Sequence, residues 1–96
     1  MPAYIFLMHN DSTADEPDWE PYLRALQQAG VFEGGSAIDG GVCVRKTGKA
    51  RPLTTHLAGY IRVIARDLDQ AKAFLVGNPV FEAGGSVEIR ELPRTD

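Results

Sequence analysis

A single cysteine, Cys43, stands among the 96 residues, so no disulfide can close within the chain and stability must come from a packed core. The apolar stretch near the start, Ala3 to Met8, has six residues, far short of the roughly 20 that cross a bilayer, and no basic segment flanks it as in a signal peptide. The expected address is the cytoplasm, with no membrane partner. Cations are few: ten Lys and Arg against thirteen Asp and Glu give a net charge of −3, and no basic run is longer than Arg45-Lys46. Duplex DNA and anionic lipid need a denser positive footprint. The chain also has no Lys/Arg-Gly-aromatic-Gly/Ala-Phe strand of the kind that stacks RNA bases, so no nucleic-acid partner is expected.

Metal-ligand spacings are missing as well. Two histidines, one cysteine and scattered carboxylates make neither Cys-x-x-Cys nor His-x-x-x-His, and no metal is expected. The glycine pairs at 34–35, 40–41 and 84–85 open no helix, and no Gly-Lys-Ser or Gly-Lys-Thr follows them. They read as turns, and no cofactor is expected.

What remains is an ordinary globular composition, 44% hydrophobic and 24% charged, long enough for one domain over residues 1–96. Ala3 to His9 is rich in β-formers and reads as a strand buried on both faces. The polar stretch from His9 to Pro17 leaves the sheet as a loop. Asp18 is placed to cap a helix whose Trp19, Tyr22, Leu23 and Leu26 recur at helical spacing, with Gly30 to stop it. The alternating Val42-Cys43-Val44-Arg45 after Asp39-Gly40-Gly41 fits a short strand or hairpin arm, with Cys43 a buried small hydrophobe. From Leu57 to Ala65 alternation is clear: Tyr60, Arg62 and Ile64 on one face, Ile61, Val63 and Ala65 on the other. Asp67, with Gln70 three residues on, caps a second helix ended by Gly77-Asn78-Pro79, and Ser86 to Leu92 reads as the final strand.

The predicted order is β-α-β-β-α-β, an α+β ferredoxin-like sandwich with a four-stranded antiparallel sheet and two helices on one face. An echo between Val31-Phe32-Glu33-Gly34-Gly35-Ser36 and Val80-Phe81-Glu82-Ala83-Gly84-Gly85-Ser86 suggests two halves of one plan. The other face stays open. If Ile5 and Leu7 face the helices, Tyr4, Phe6 and Met8 face water, and an apolar area of that size is rarely left bare. A homodimer packed through the open sheet face, closing a dimeric α/β barrel, is the expected assembly.

The alternation places Tyr60, Arg62, Glu88 and Arg90 on the same open face. Charges covered by a partner must pair, so Arg62, Glu88 and Arg90 form either a structural ion-pair layer or the polar wall of a pocket for a small anionic or polar ligand. His9 and His56 are the candidate acid/base groups. His9 is followed by Asn10-Asp11, which offers an imidazole–carboxylate pairing, although strand-end histidines are more often merely solvated. Arg45 is a further candidate for gripping an anion.

Taken together, the Tyr-Ile-Phe-Leu-Met-His strand, Trp19 in a first helix ended by Ala29-Gly30, Leu57-Ala58-Gly59-Tyr60, Asp67-Leu68-Asp69-Gln70-Ala71, Asn78-Pro79 and Gly85-Ser86-Val87-Glu88-Ile89-Arg90 resemble the YCII-related, DGPF-type domain family. The resemblance spans nearly the whole chain and implies a dimeric α+β barrel of ferredoxin-like subunits. It also implies where a His/Asp dyad would sit, and there this chain carries Trp19 and Asn78. In place of the Asp-Gly-Pro-Phe signature stands Thr47-Gly48-Lys49-Ala50. The expectation is a small-molecule-binding or accessory module without that dyad, and the alternative is a barrel enzyme using His9 or His56 on a small polar or aromatic metabolite.

Overall fold

Aromatic and branched side chains at nearly every position suit Ala3–His9 to the interior of a sheet, and that is where this strand lies. A computed structural model describes residues 1–93, so residues 94–96 of the expected domain lie outside the described residues. Strand β1 (Ala3–His9) pairs antiparallel with β3 (Leu57–Ile64) on one side and with β4 (Val87–Leu92) on the other. Strand β2 (Phe32–Ala37) adds to β3, giving a four-stranded antiparallel sheet ordered β2-β3-β1-β4. The architecture is α+β, with helices α1 (Trp19–Gln28), α2 (Leu68–Ala73) and the short α3 (Pro79–Glu82). No helix among the described residues is long and apolar enough to cross a membrane.

Local chemistry accounts for the helix ends. The Asp18 carboxylate accepts the Glu20 N–H at 3.3 Å, and Gly30, at φ +74°, turns the chain out of α1 as the expected stop. Asp67 accepts the Gln70 N–H at 2.9 Å, while the Gln70 side chain reaches back to the Arg66 N–H at 2.6 Å. Helix α2 ends at Ala73 with Phe74 as its C-cap, earlier than the expected Gly77-Asn78-Pro79 stop, and Asn78-Pro79 instead starts a further helix: Asn78 Oδ1 accepts the Phe81 N–H at 3.1 Å, and Pro79 opens α3. Where two helices were expected, the chain therefore makes three.

The core forms between the sheet and all three helices. Tyr4, Phe6 and Met8 from β1 join Ile61 and Val63 from β3, Tyr22 and Leu26 from α1, Ala71 from α2, Val80 from α3, and Leu75 from the turn between those two helices. This reverses the expected facing of β1. Tyr4, Phe6 and Met8 are buried against the helices, whereas Ile5 and Leu7 are half-buried on the open face. With apolar side chains on both faces of β1, alternation alone cannot choose between them. The larger aromatic set fills the space that α1 leaves.

Three further expectations are corrected. Residues 42–45 form no strand. The β2 position is taken by Phe32–Ala37, and the nineteen residues between it and β3 run as a long excursion in which Val42 and Val44 are 80% and 85% exposed and Cys43 is exposed rather than buried. Gly34 and Gly35 lie inside β2, at a bulge between Phe32 and Gly35, instead of forming a turn. The echo between residues 31–36 and 80–86 is likewise not structural: Phe32-Glu33 begins β2 just after Val31, whereas Val80-Phe81-Glu82 lies in α3.

Candidate functional site

The end of β1 is held from both sides. The His9 N–H donates to the Ser86 carbonyl and the Asn10 N–H to the His56 carbonyl, each at 2.9 Å, and Asn10 Nδ2 donates to the Thr55 carbonyl at 2.9 Å. A register shift between Met8 and His9 marks a bulge there, a device that re-aims a side chain at a strand end. Leu7 is directly opposite Glu88, so Glu88 shares the open face with the histidine two residues beyond Leu7. His9 Nε2 comes within 3.4 Å of Glu88 Oε1, and the His56 ring lies against His9 with centroids 4.7 Å apart, tilted by 60°. The other Glu88 oxygen accepts from Arg90 Nη1 at 2.8 Å. His56, His9, Glu88 and Arg90 thus form one continuous line at the end of the open face.

Asp11, the expected partner of His9, is engaged elsewhere. Its two carboxylate oxygens accept the Ser86 N–H at 2.7 Å and the Ser86 hydroxyl at 2.6 Å. Those two donors, hydroxyl first, hold the Asp11 carboxyl below its ordinary range, with His9 a small added influence. Asp11 therefore fastens the loop after β1 to the start of β4, and the carboxylate that meets the imidazole is Glu88. Neighbouring residues at a strand end diverge, whereas cross-strand register brings positions 79 apart in sequence into contact.

Tyr60, Leu7 and Glu88 form one row across β3, β1 and β4; Arg62, Ile5 and Arg90 form the next. Two exposed guanidinium groups thus flank one aliphatic side chain. Of the expected three-residue ion-pair layer, the Glu88–Arg90 pair is present, and among the described residues no carboxylate lies within ion-pair distance of Arg62. A guanidinium without a carboxylate, beside a second one and a tyrosine, can grip a small anion. Arg45 does not join them. It lies on the excursion between β2 and β3, where its Nη1 donates to the Lys49 carbonyl at 3.3 Å. Among the described residues, no three His, Cys, Asp or Glu groups come together as a cation site.

A second concavity opens on the helix side, at the same end of the sheet. This cleft of about 280 Å³ is walled by Met8, Trp19, Leu23 and Phe32, with Glu16 as its one charged group and with Ala37 and Ala58 where β2 ends and β3 starts. Nothing in the residue pattern announced it, since its walls come from five separated segments. Trp19, at one of the two positions where the resemblance implies a dyad, is a cleft wall and packs edge-on to Tyr22 at 6.0 Å. Asn78, at the other, is fully buried as the cap of α3, and its Nδ2 closes no hydrogen bond. Tyr22 donates its hydroxyl to the Phe74 carbonyl at 2.7 Å; burial pushes its pKa up, and the nearby Asn78 amide opposes that shift.

Fold and site together define a small α+β sheet protein with one face covered by helices and the other bearing a histidine–carboxylate–arginine line. No protein-family model, no curated protein and no solved structure matches the chain.

Proposed function

We propose that this chain is a YCII-related, ferredoxin-like protein that pairs through its open sheet face with a second copy and holds a small anionic or polar ligand there, as a binding or accessory module. The observation that carries the reading is the composition of that face: Ile5 and Leu7 lie between Tyr60, Arg62, Glu88 and Arg90, and all three helices pack on the opposite side. The strand order β2-β3-β1-β4 supports the ferredoxin-like assignment. Pairing two such faces removes Ile5 and Leu7 from water, worth roughly 1.5–3 kcal/mol for each side chain fully buried, and encloses the arginines in a medium where a bidentate anion contact is strengthened. No cofactor enters this reading, and a cytoplasmic setting suits the unpaired Cys43.

The contact between His9 and Glu88 favours one second reading, an enzyme of the same assembly. A carboxylate beside an imidazole orients the ring and stabilises its protonated form. His9 could then pass a proton to or from a metabolite gripped by Arg62, with His56 packed behind it. Trp19 and Asn78 hold no exchangeable proton suited to that work.

The test is intact mass under gentle electrospray, paired with ring-proton NMR of His9 and His56 while benzoate or phosphate is added. The expected results are a particle of twice the 10.5 kDa chain mass and ring shifts that saturate with the anion and vanish in Arg62→Ala. A particle of single-chain mass, or rings blind to both anions, overturns the binding reading. Saturating shifts that survive Arg62→Ala but vanish in His9→Ala move the ligand contact to the imidazole and favour the enzyme.

A further inference from the structure

The nineteen residues 38–56 form neither helix nor strand. They hold four cations, Arg45, Lys46, Lys49 and Arg51, against one carboxylate, Asp39, so this arm carries +3 in a chain whose total is −3. Among the described residues no carboxylate lies within ion-pair distance of any of the four. Val42 and Val44, alternating and almost fully exposed, would share one side of the arm when it is extended. An exposed apolar pair within a cationic segment of this length calls for a covering surface.

That surface exists on the same molecule type. The helix-side cleft is apolar and open, and its charged wall residue, Glu16, belongs to the segment 11–20, which holds five carboxylates and no Lys or Arg. Cleft and arm are complementary in both respects: apolar wall to valine pair, acidic segment to cationic flank. The arm's stems are fixed in line with the sheet, because the Ile38 N–H donates to the Ala58 carbonyl at 2.9 Å and Asn10 ties Thr55 and His56. All of its residues but the half-buried Ala50 are exposed, so it leaves the body rather than turning back. The Cα radius of gyration, 14.8 Å, exceeds the roughly 12.5 Å usual for a compact chain of this length.

We infer that the arm of each copy seats in the helix-side cleft of a second copy, Val42 and Val44 against Trp19 and Phe32, Arg45 and Lys46 over the acidic segment around Glu16. Val42 and Val44 lie five and seven residues beyond Ala37, the end of β2, a contour of roughly 17–25 Å. That suffices to pass round a facing sheet about 10 Å away and reach its helix side. The exchange is reciprocal and closes under two-fold symmetry, so it ends at a dimer. It rests on the sheet-face pairing proposed above and adds a clasp to it.

The chain supplies its own probes, since Trp19 is its one tryptophan and Cys43 its one cysteine. A bimane attached to Cys43 is quenched by tryptophan only near contact. Bimane-labelled Trp19→Phe chains are mixed with unlabelled Cys43→Ser chains, so that only an arm seated on another copy meets a tryptophan. The expected result is loss of bimane emission on mixing. It is restored when Val42→Ser and Val44→Ser are placed in the labelled chain, and weakened by added salt, which screens the charged segments. Unquenched mixtures in which intact mass still shows dimers overturn the clasp and leave the sheet-face pairing standing; unquenched mixtures of single chains overturn both. Quenching confined to dilute labelled chains that keep their own Trp19 means the arm closes on its own cleft, and overturns the inference. A Glu16→Cys chain provides an independent measurement that leaves Trp19 in place. Mild oxidation should join position 16 of one copy to Cys43 of another as a covalent dimer, and its absence from oxidised dimers overturns the seating.

Discussion

Asp11 shows how much a single exposed carboxylate can organise. Its oxygens accept both donors of Ser86, which holds the loop after β1 against the beginning of β4, and the loop's next residues continue the seam as Thr13 and Ala14 donate backbone N–H groups to the Ala83 carbonyl at 2.9 and 3.1 Å. Because the folded pKa lies below the ordinary value, the unfolded chain takes up the proton first as pH falls. The stabilisation is complete above the unfolded pKa of about 4 and is lost as pH drops through the lower folded value. Urea denaturation at stepped pH should show wild type more stable than Asp11→Asn at neutral pH, with the gap closing below about pH 4. A gap independent of pH would mean the carboxylate's charge has no part in the seam.

At the scale of elements, β2 is the unusual one. A Cβ added to Gly35 would lie 2.5 Å from the Tyr60 carbonyl oxygen and 2.9 Å from the Ile61 Cα, so backbone, not a flexible side-chain tip, would have to yield. Gly35→Ala should cost about 1–3 kcal/mol in urea denaturation, whereas Gly40→Ala, with nothing within 4 Å, should be close to neutral. Equal effects would remove the close approach of β2 to β3 as the reason for the glycine. The same residue explains why this strand could not be read in advance. Gly34-Gly35 carries turn chemistry, while Val42-Cys43-Val44 carries strand periodicity, and pairing with β3 decided against both local signals. By contrast, β1, β3, β4, α1 and the start of α2 were legible because cap, period and stop agreed in each. The residues of the open face were legible from parity, Tyr60 with Arg62 and Glu88 with Arg90. The His9–Glu88 contact was not, because it depends on a register between strands and a bulge at one residue.

For the molecule as a whole, the two faces of β1 make different demands. Phe6 is fully buried among the helices, and Leu7 lies between Tyr60 and Glu88 on the open side. Phe6→Glu should leave no folded species by circular dichroism, since placing a charge there costs more than the about 3–5 kcal/mol of truncating a buried Phe. Leu7→Glu should keep native circular dichroism while the particle sediments as a single chain, because its carboxylate, beside Glu88 in the same sheet, would be covered by the facing copy as an uncompensated charge. A Leu7→Glu chain that still sediments as a dimer would remove the open face from the assembly.

The position of β1 has a consequence for how the protein comes into being. This strand is synthesised before the other three, yet it lies inside the sheet, flanked by β3 and β4, and its contact from His9 to Glu88 spans 79 residues. At roughly 5–20 residues per second of translation, its apolar faces wait several seconds for both neighbours. Over that interval the growing chain is sticky and without a native fold, so its yield in a cell depends on being shielded during synthesis as much as on the stability of the finished sheet.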